Sequence, residues 1–495
     1  MNDYLDLAGQ LVMVRLFGTE LDAETDAFLR TYRIRGACLF RQNMRDAPQL
    51  TRFTGALRDA IGPQALIALD QEGGAVVRST WVPAPPSAMA LGAANDPDLA
   101  REVGAAVARA VRALGFNWNF APVLDLNNNP RNPVIAERSF GADPEQATRI
   151  ALAWMEGSER EGVACCVKHF PGHGDTHVDS HRDLPYVDKS RADLEQFEFA
   201  PFRIAAPHAP AMMTAHIVYP ALDPVNPATM SHAILTGVLR EQFGYDGVII
   251  TDGMDMHAIA HRYGVGQAAV NALVAGADMV MAIGTRATQI ETVHAIAAAI
   301  RDGVLPLAAV QARLARLGKL ADAHPAGAVA YAAEQDDRAL MERAWRAGLT
   351  ALRSPQRPPR GTRVRLVARA DVVSDGVSEA GVPAASIAAA LAQLYDVDLV
   401  TFADSETFDW AALPADGRFT ILASTARRRY GPQACATWRP DLHLALWNPY
   451  QALDFPGPAL LTYGFAPPAL AAALAWLAGE IDAPGTCPVP GFDGP

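Results

Sequence analysis

Four histidines recur at every fourth residue in the stretch KHFPGHGDTHVDSH (168–181): His169, His173, His177 and His181. On a helix this spacing would stack the imidazoles on one face, the pattern of a metal site. The residues between them argue against a helix. Pro171 lacks an amide proton and clashes with the preceding turn, and Gly172 and Gly174 each cost about 1 kcal/mol relative to Ala in a helix interior. The lead-in VACCV (163–167) is apolar with valine at both ends, which reads as a buried strand. Lys168 and His169 are therefore expected at a strand end, with a glycine-rich polar loop carrying the other three histidines. The four-residue period is then incidental, and no metal or organic cofactor is expected.

Two further groups have the chemistry of a displacement reaction. Asp179 and His181 stand two apart on the loop, so a carboxylate can hydrogen-bond one ring nitrogen, fix the tautomer and raise the basicity of the other. Such an imidazole passes protons near neutral pH. Asp252 closes the apolar run GVIITD (247–252), where a carboxylate could be a nucleophile, a general base or a metal ligand. One fixed carboxylate and one mobile acid/base suit a two-step displacement.

The elements that must position these groups are legible as eight short apolar runs: 11–17, 36–40, 65–70, 116–125, 163–170, 211–216, 247–252 and 277–283, separated by helix-like Ala/Leu/Arg segments. That alternation is what a (β/α)8 TIM barrel requires, and no Gly-rich phosphate fingerprint follows the first run to favour an open doubly wound sheet. Several runs end in Asp70, Asp125, Lys168 with His169, His216 and Asp252, and barrel active sites are built where strands end. The expected organisation is a catalytic barrel over 1–325 and a helical linker over 326–362, with 336–354 read as helix and 355–363 as Pro/Arg-rich. A smaller αβα sandwich domain over 363–495 follows, its strands at 364–368, 398–402, 419–424, 443–447 and 459–464.

Composition narrows the function class. The 495 residues carry a net charge of −12, half are hydrophobic and 19% are charged, which describes a globular chain without a nucleic-acid or anionic-membrane surface. The basic triplet Arg427 to Arg429 is expected to be a solvated cluster. Five scattered cysteines form no disulfide framework, the N-terminus lacks the basic residues of a signal peptide, and no run reaches the ~20 apolar residues of a membrane span. A cytoplasmic location is expected; oligomeric state is not legible.

The stretches ALIALDQEGGAVVR (65–78), VIAERSFGADP (134–144), KHFPGHGDTHVDSHRDLP (168–185) and VIITDGMDM (248–256) resemble the bacterial β-N-acetylglucosaminidases of glycoside hydrolase family 3. The loop ending in DSH is specific to that branch. The second domain is similar to the αβα domain of longer members. The resemblance implies Asp252 as nucleophile, His181 as general acid/base and Asp179 as its partner. It implies Asp70, Arg78, Arg138, Lys168 and His169 as sugar-binding groups. His216, at a strand end facing the same mouth, is expected to bind substrate or to support groups that do. Arg138 could instead form a salt bridge with Glu137 or Asp143. The implied activity is retaining exo-cleavage of β-GlcNAc glycosides, with a muropeptide or its sugar core as substrate. Retaining enzymes ordinarily pair two carboxyl groups. A histidine in place of one raises the alternative that phosphate accepts the glycosyl group. A metal-dependent barrel hydrolase and a non-catalytic sugar-binding barrel are the other rivals. The first is disfavoured because LVMVRLF (11–17) lacks a His-x-His pair, the second because Asp252, Asp179 and His181 are all present.

Overall fold

The structure, a computed structural model, describes residues 2–176, 184–374 and 376–492. Its first ten strands, in chain order, are β1 (Val12–Arg15), β2 (Gly36–Cys38), β3 (Leu66–Leu69), β4 (Gln71–Gly73), β5 (Val76–Val77), β6 (Trp118–Asn119), β7 (Ala164–Phe170), β8 (Ala211–Thr214), β9 (Val248–Gly253) and β10 (Met279–Ala282). All but β4 and β5 close a parallel barrel in the order β1-β2-β3-β6-β7-β8-β9-β10, with β10 returning to β1 through Val12 beside Val280. Each expected run forms one barrel strand. The strands are buried on both sides, between the barrel interior and the helices outside, which is why they read as continuous apolar runs rather than alternations. The run at 116–125 is the exception in length. Only Trp118–Asn119 pair as a strand, because Pro122 offers no amide to the ladder, and Val123 rejoins β7 by a single bridge to Lys168.

Helix starts follow local chemistry. In NDPDL (95–99) and ADPEQ (142–146) an aspartate caps the helix and proline takes the first position: Asp96 accepts the amides of Asp98 and Leu99, and Asp143 accepts that of Gln146. Asp143 is thereby committed to its helix rather than to Arg138. β4 and β5 form an antiparallel hairpin above the barrel rim. The Gln71 side chain ties that hairpin: its carbonyl accepts the Arg78 amide at 2.9 Å, and its amide group donates to Ser79 O at 2.9 Å.

The second sheet holds β11 (Thr350–Leu352), β12 (Arg363–Arg369), β13 (Asp396–Phe402), β14 (Phe419–Ser424), β15 (Leu442–Ala445) and β16 (Ala459–Leu461), in the order β11-β16-β15-β14-β12-β13. The five strands read from sequence are its parallel members. The sixth, β11, runs antiparallel on the edge and departs from expectation, since the segment 336–354 was expected to be helical throughout. The helix stops at Gly348, which lies against the Ala90 backbone so closely that a Cβ would stand 2.4 Å from Ala90 O. The chain then pairs with β16 and covers an edge that would otherwise expose its backbone groups.

The triplet Arg427 to Arg429 is not a solvated cluster. Arg427 is buried against Glu137, and Arg429 Nε lies 2.9 Å from Asp454 Oδ1. All five cysteines are free thiols. Among the described residues no helix is long and apolar enough to cross a membrane.

Candidate active site

The carboxyl ends of the barrel strands open on a cavity of about 650 Å³, lined by Asp70, Arg78, Arg138, Lys168, His169 and Asp252 together with Arg15, Glu72, His173 and Asp255. The mouth of a parallel barrel collects side chains from separate strands because each strand delivers its last residues there.

The floor is a buried charge network. Lys168 Nζ lies 2.7 Å from Asp70 Oδ1 and 2.6 Å from Glu72 Oε1. Arg138 grips Glu72 through two bonds of 2.8 Å, and Arg78 Nη2 is 3.4 Å from Asp70 Oδ2. Arg138 therefore pairs with Glu72, not with Glu137 or Asp143. Burial works to raise the carboxyls, but the cations prevail: Lys168 and Arg78 hold Asp70 below the usual carboxylate range, and Arg138 and Lys168 hold Glu72 well below it. Burial likewise works against the Lys168 ammonium, yet Asp70 and Glu72 keep it charged and raise its pKa. The result is a set of fixed, oriented donors and acceptors suited to hydroxyl groups.

His169 extends this set. Its Nδ1 lies 2.6 Å from Asp125 Oδ2, while Asp125 Oδ1 accepts the amides of His169 at 3.1 Å and His173 at 2.6 Å. This carboxylate fixes the imidazole's orientation and anchors the start of the loop. Burial depresses the His173 pKa to about 4, and its Nδ1 meets Thr176 Oγ1 at 2.9 Å. The loop base is pinned again by Tyr219, which donates to Gly172 O, and by Asn132, whose amide donates to His173 O at 2.9 Å and Gly174 O at 3.0 Å. At Gly174 the chain passes so near Leu126 that a Cβ would stand 1.6 Å from its carbonyl oxygen. His177, Asp179 and His181 lie outside the described residues.

Asp252 sits at the end of β9 with partial exposure, its Oδ1 accepting the Gly253 amide at 2.8 Å. His216 is not in the cavity wall. Its Nε2 meets Gly253 O at 2.9 Å and its Nδ1 meets Thr229 Oγ1 at 2.8 Å, so it steadies the peptide that follows Asp252. Burial pushes the Asp255 carboxyl up, and among the described residues its Oδ1 has no hydrogen-bond partner.

One wall comes from the second domain. The segment after β12 brings Val377, Ser378 and Glu379 to the cavity, where Arg78 Nη1 donates to Val377 O at 2.9 Å and lies 3.6 Å from Glu379 Oε1.

The sequence profile of the glycosyl hydrolase family 3 N terminal domain matches residues 6–320, the span that holds the barrel and its charge network. The chain belongs to glycosyl hydrolase family 3. It is 40% identical over 286 residues to a protein named Beta-hexosaminidase A from Pseudoalteromonas piscicida, a match covering 53% of this chain and about half (48%) of that relative's length. A Beta-hexosaminidase from Alkalilimnicola ehrlichii is 39% identical over 279 residues, 54% of this chain and 79% of the relative. Among solved structures, a glycoside hydrolase family 3 beta-N-acetylglucosaminidase from Paenibacillus sp. str. FPU-7 is 32% identical, with a TM-score of 0.88 over 98% of each chain.

Within this family 3 site, sequence reasoning did not single out Glu72, Arg15 or the second-domain wall. A signal for Glu72 was present: Asp70 and Glu72 are two apart in extended chain, so both side chains leave on one face. No local signal links residues 377–379 to a barrel mouth three hundred residues earlier, since their partner is Arg78.

Proposed function

We propose that the chain is an exo-acting, retaining β-N-acetylglucosaminidase. Family membership and relatives named beta-hexosaminidase and beta-N-acetylglucosaminidase support the reaction class. The single observation that carries the reading is the position of Asp252, at the end of β9 and in the same cavity as the Asp70–Lys168–Glu72–Arg138 network.

In this reading Asp70, Arg78, Arg138, Lys168 and His169 hold the hydroxyls of the non-reducing sugar. Asp252 attacks the anomeric carbon as the bond to the leaving oxygen breaks, and that oxygen takes its proton from His181. Water then gives its proton to His181 while its oxygen attacks the same carbon, breaking the ester and regenerating the Asp252 carboxylate. Asp179 holds the imidazole in the tautomer that both half-reactions need. His216 acts through the Gly253 peptide rather than on substrate. The substrate proposed is a muropeptide or its sugar core in the cytoplasm.

Turnover of a chromogenic β-GlcNAc glycoside, with trapping of the enzyme by a fluorinated glycosyl donor, tests the scheme. The label is expected on Asp252, and Asp252→Ala is expected to lose both turnover and labelling. Labelling of the Asp252→Ala protein would remove Asp252 from the role of nucleophile. A panel of β-GlcNAc aglycones, with and without phosphate, tests the leaving group and the acceptor.

A further inference from the structure

Arg427 belongs to the second domain, between β14 and the helix Pro432–Thr437, yet it reaches the barrel. Only 5% of it is exposed. Its Cζ lies 5.3 Å from the Trp447 ring centroid, and its carbonyl accepts Asn448 Nδ2 at 2.7 Å, so its own domain fixes its course. Its Nη2 lies 3.2 Å from Glu137 Oε1 and also donates to Ser378 Oγ.

Those two acceptors lead to the two arginines of the cavity. Glu137 precedes Arg138 in the turn Ala136–Arg138, and Ala136 there has a φ of 40°. A residue with a side chain keeps that left-handed conformation only when its surroundings over-determine it. Glu137 is 1% exposed, and among the described residues its second oxygen has no hydrogen-bond partner, so the contact from Arg427 to Oε1 holds this carboxylate. Ser378 sits between Val377, whose carbonyl receives Arg78, and Glu379, whose amide donates to Ala75 O at 2.8 Å. Val377 itself packs with Val76, Val134 and Ile135 of the barrel loops.

We infer that Arg427 is a positioning residue for sugar binding: one guanidinium of the second domain sets Arg138 through Glu137 and Arg78 through Ser378. Affinity of the barrel for its pyranose then depends on the second domain without that arginine touching sugar. The inference rests on the reading that Arg78 and Arg138 hold sugar hydroxyls.

The test uses the full chain in two forms. Arg427→Lys keeps a cation but has a shorter reach and lacks the planar guanidinium that Trp447 holds in place while Nη2 meets Glu137 and Ser378. The double variant Glu137→Gln with Arg427→Met removes the pair without stranding a buried carboxylate. Both are expected to raise KM for an aryl β-GlcNAc about tenfold with kcat within about twofold, and to weaken GlcNAc binding in calorimetry by the same factor. With 3-, 4- and 6-deoxy-GlcNAc, the loss is expected to vanish for at least one sugar, the one lacking the hydroxyl those arginines hold. Wild-type KM and affinity in the double variant, or an equal loss on every deoxy sugar, would overturn the inference. If the double variant does not fold, Arg427→Lys and Ser378→Ala decide by the same readouts. A wild-type chain that turns over no β-GlcNAc glycoside would sink the activity instead. Calorimetry needs no turnover, so the two failures are distinguishable; a wild type that binds no sugar in the panel overturns the inference as well.

Discussion

Arg138 and Glu72 face each other at the floor of the cavity, two guanidinium nitrogens each 2.8 Å from a carboxylate oxygen, with both side chains only 5% exposed. The pair is not isolated, because Glu72 also takes Lys168 at 2.6 Å. One carboxylate therefore orients two of the cations assigned to sugar hydroxyls.

Glu72→Gln is expected to damage binding and stability together. Removing one partner of a buried charged pair costs about 3–5 kcal/mol, and an amide that retains one acceptor should fall at the lower end. We expect a lower Tm and a loss in kcat/KM of about a hundredfold, mostly in KM, read by calorimetric melting and steady-state kinetics.

His216 gives the opposite signature. It fixes the Gly253 carbonyl from outside the cavity, so His216→Ala should leave KM nearly unchanged and lower kcat. A misplacement of about 1 Å at a reacting group costs on the order of a hundredfold. Kinetics with a single chromogenic donor distinguish this from lost binding.

Gly174→Ala has no room, since the new Cβ would meet Leu126 O at 1.6 Å. The backbone at the base of the His/Gly loop must shift, and overpacking of this kind costs about 1–3 kcal/mol or more. We expect a lowered Tm and a fall in activity far larger than that of Gly55→Ala, where a Cβ meets nothing within 4 Å. Equal activities would show that the loop base tolerates displacement.

Acid should destabilise the fold before it titrates the carboxylate network. His173 and His443 are buried neutral, with pKa values depressed by burial to about 4 and about 3. The unfolded chain binds those protons first, so stability is complete above about pH 6.5 and falls as pH drops toward 4, by up to about 1.4 kcal/mol per pH unit for each histidine. Asp70 and Glu72 act lower down: their pKa values are depressed, so their contribution is present above about pH 4 and lost only below it. Denaturant unfolding at pH 7.5, 6 and 5 measures the slope, and His443→Gln should flatten it. A slope unchanged in that variant would remove His443 from the account.

By itself the sequence determined the barrel, because eight apolar runs at regular spacing have to be buried on both sides and a parallel closed sheet is the arrangement that does so. It also indicated which strand ends meet at the barrel mouth, since Asp70, Lys168, His169 and Asp252 close apolar runs and all four line the cavity. Tertiary structure decided the partners. Arg138 had neighbouring carboxylates at 137 and 143 in sequence, but a helix cap took Asp143, Arg427 took Glu137, and Arg138 turned to Glu72. His216 reads as a mouth residue from its place after β8, yet its ring points to Thr229 and Gly253. Arg427 reads as one of three solvated bases until the second domain packs on the barrel. Periodicity records which side of an element is buried, a local property. An ion pair depends on which distant element supplies the nearest opposite charge once water has been excluded, and only the assembled packing settles that.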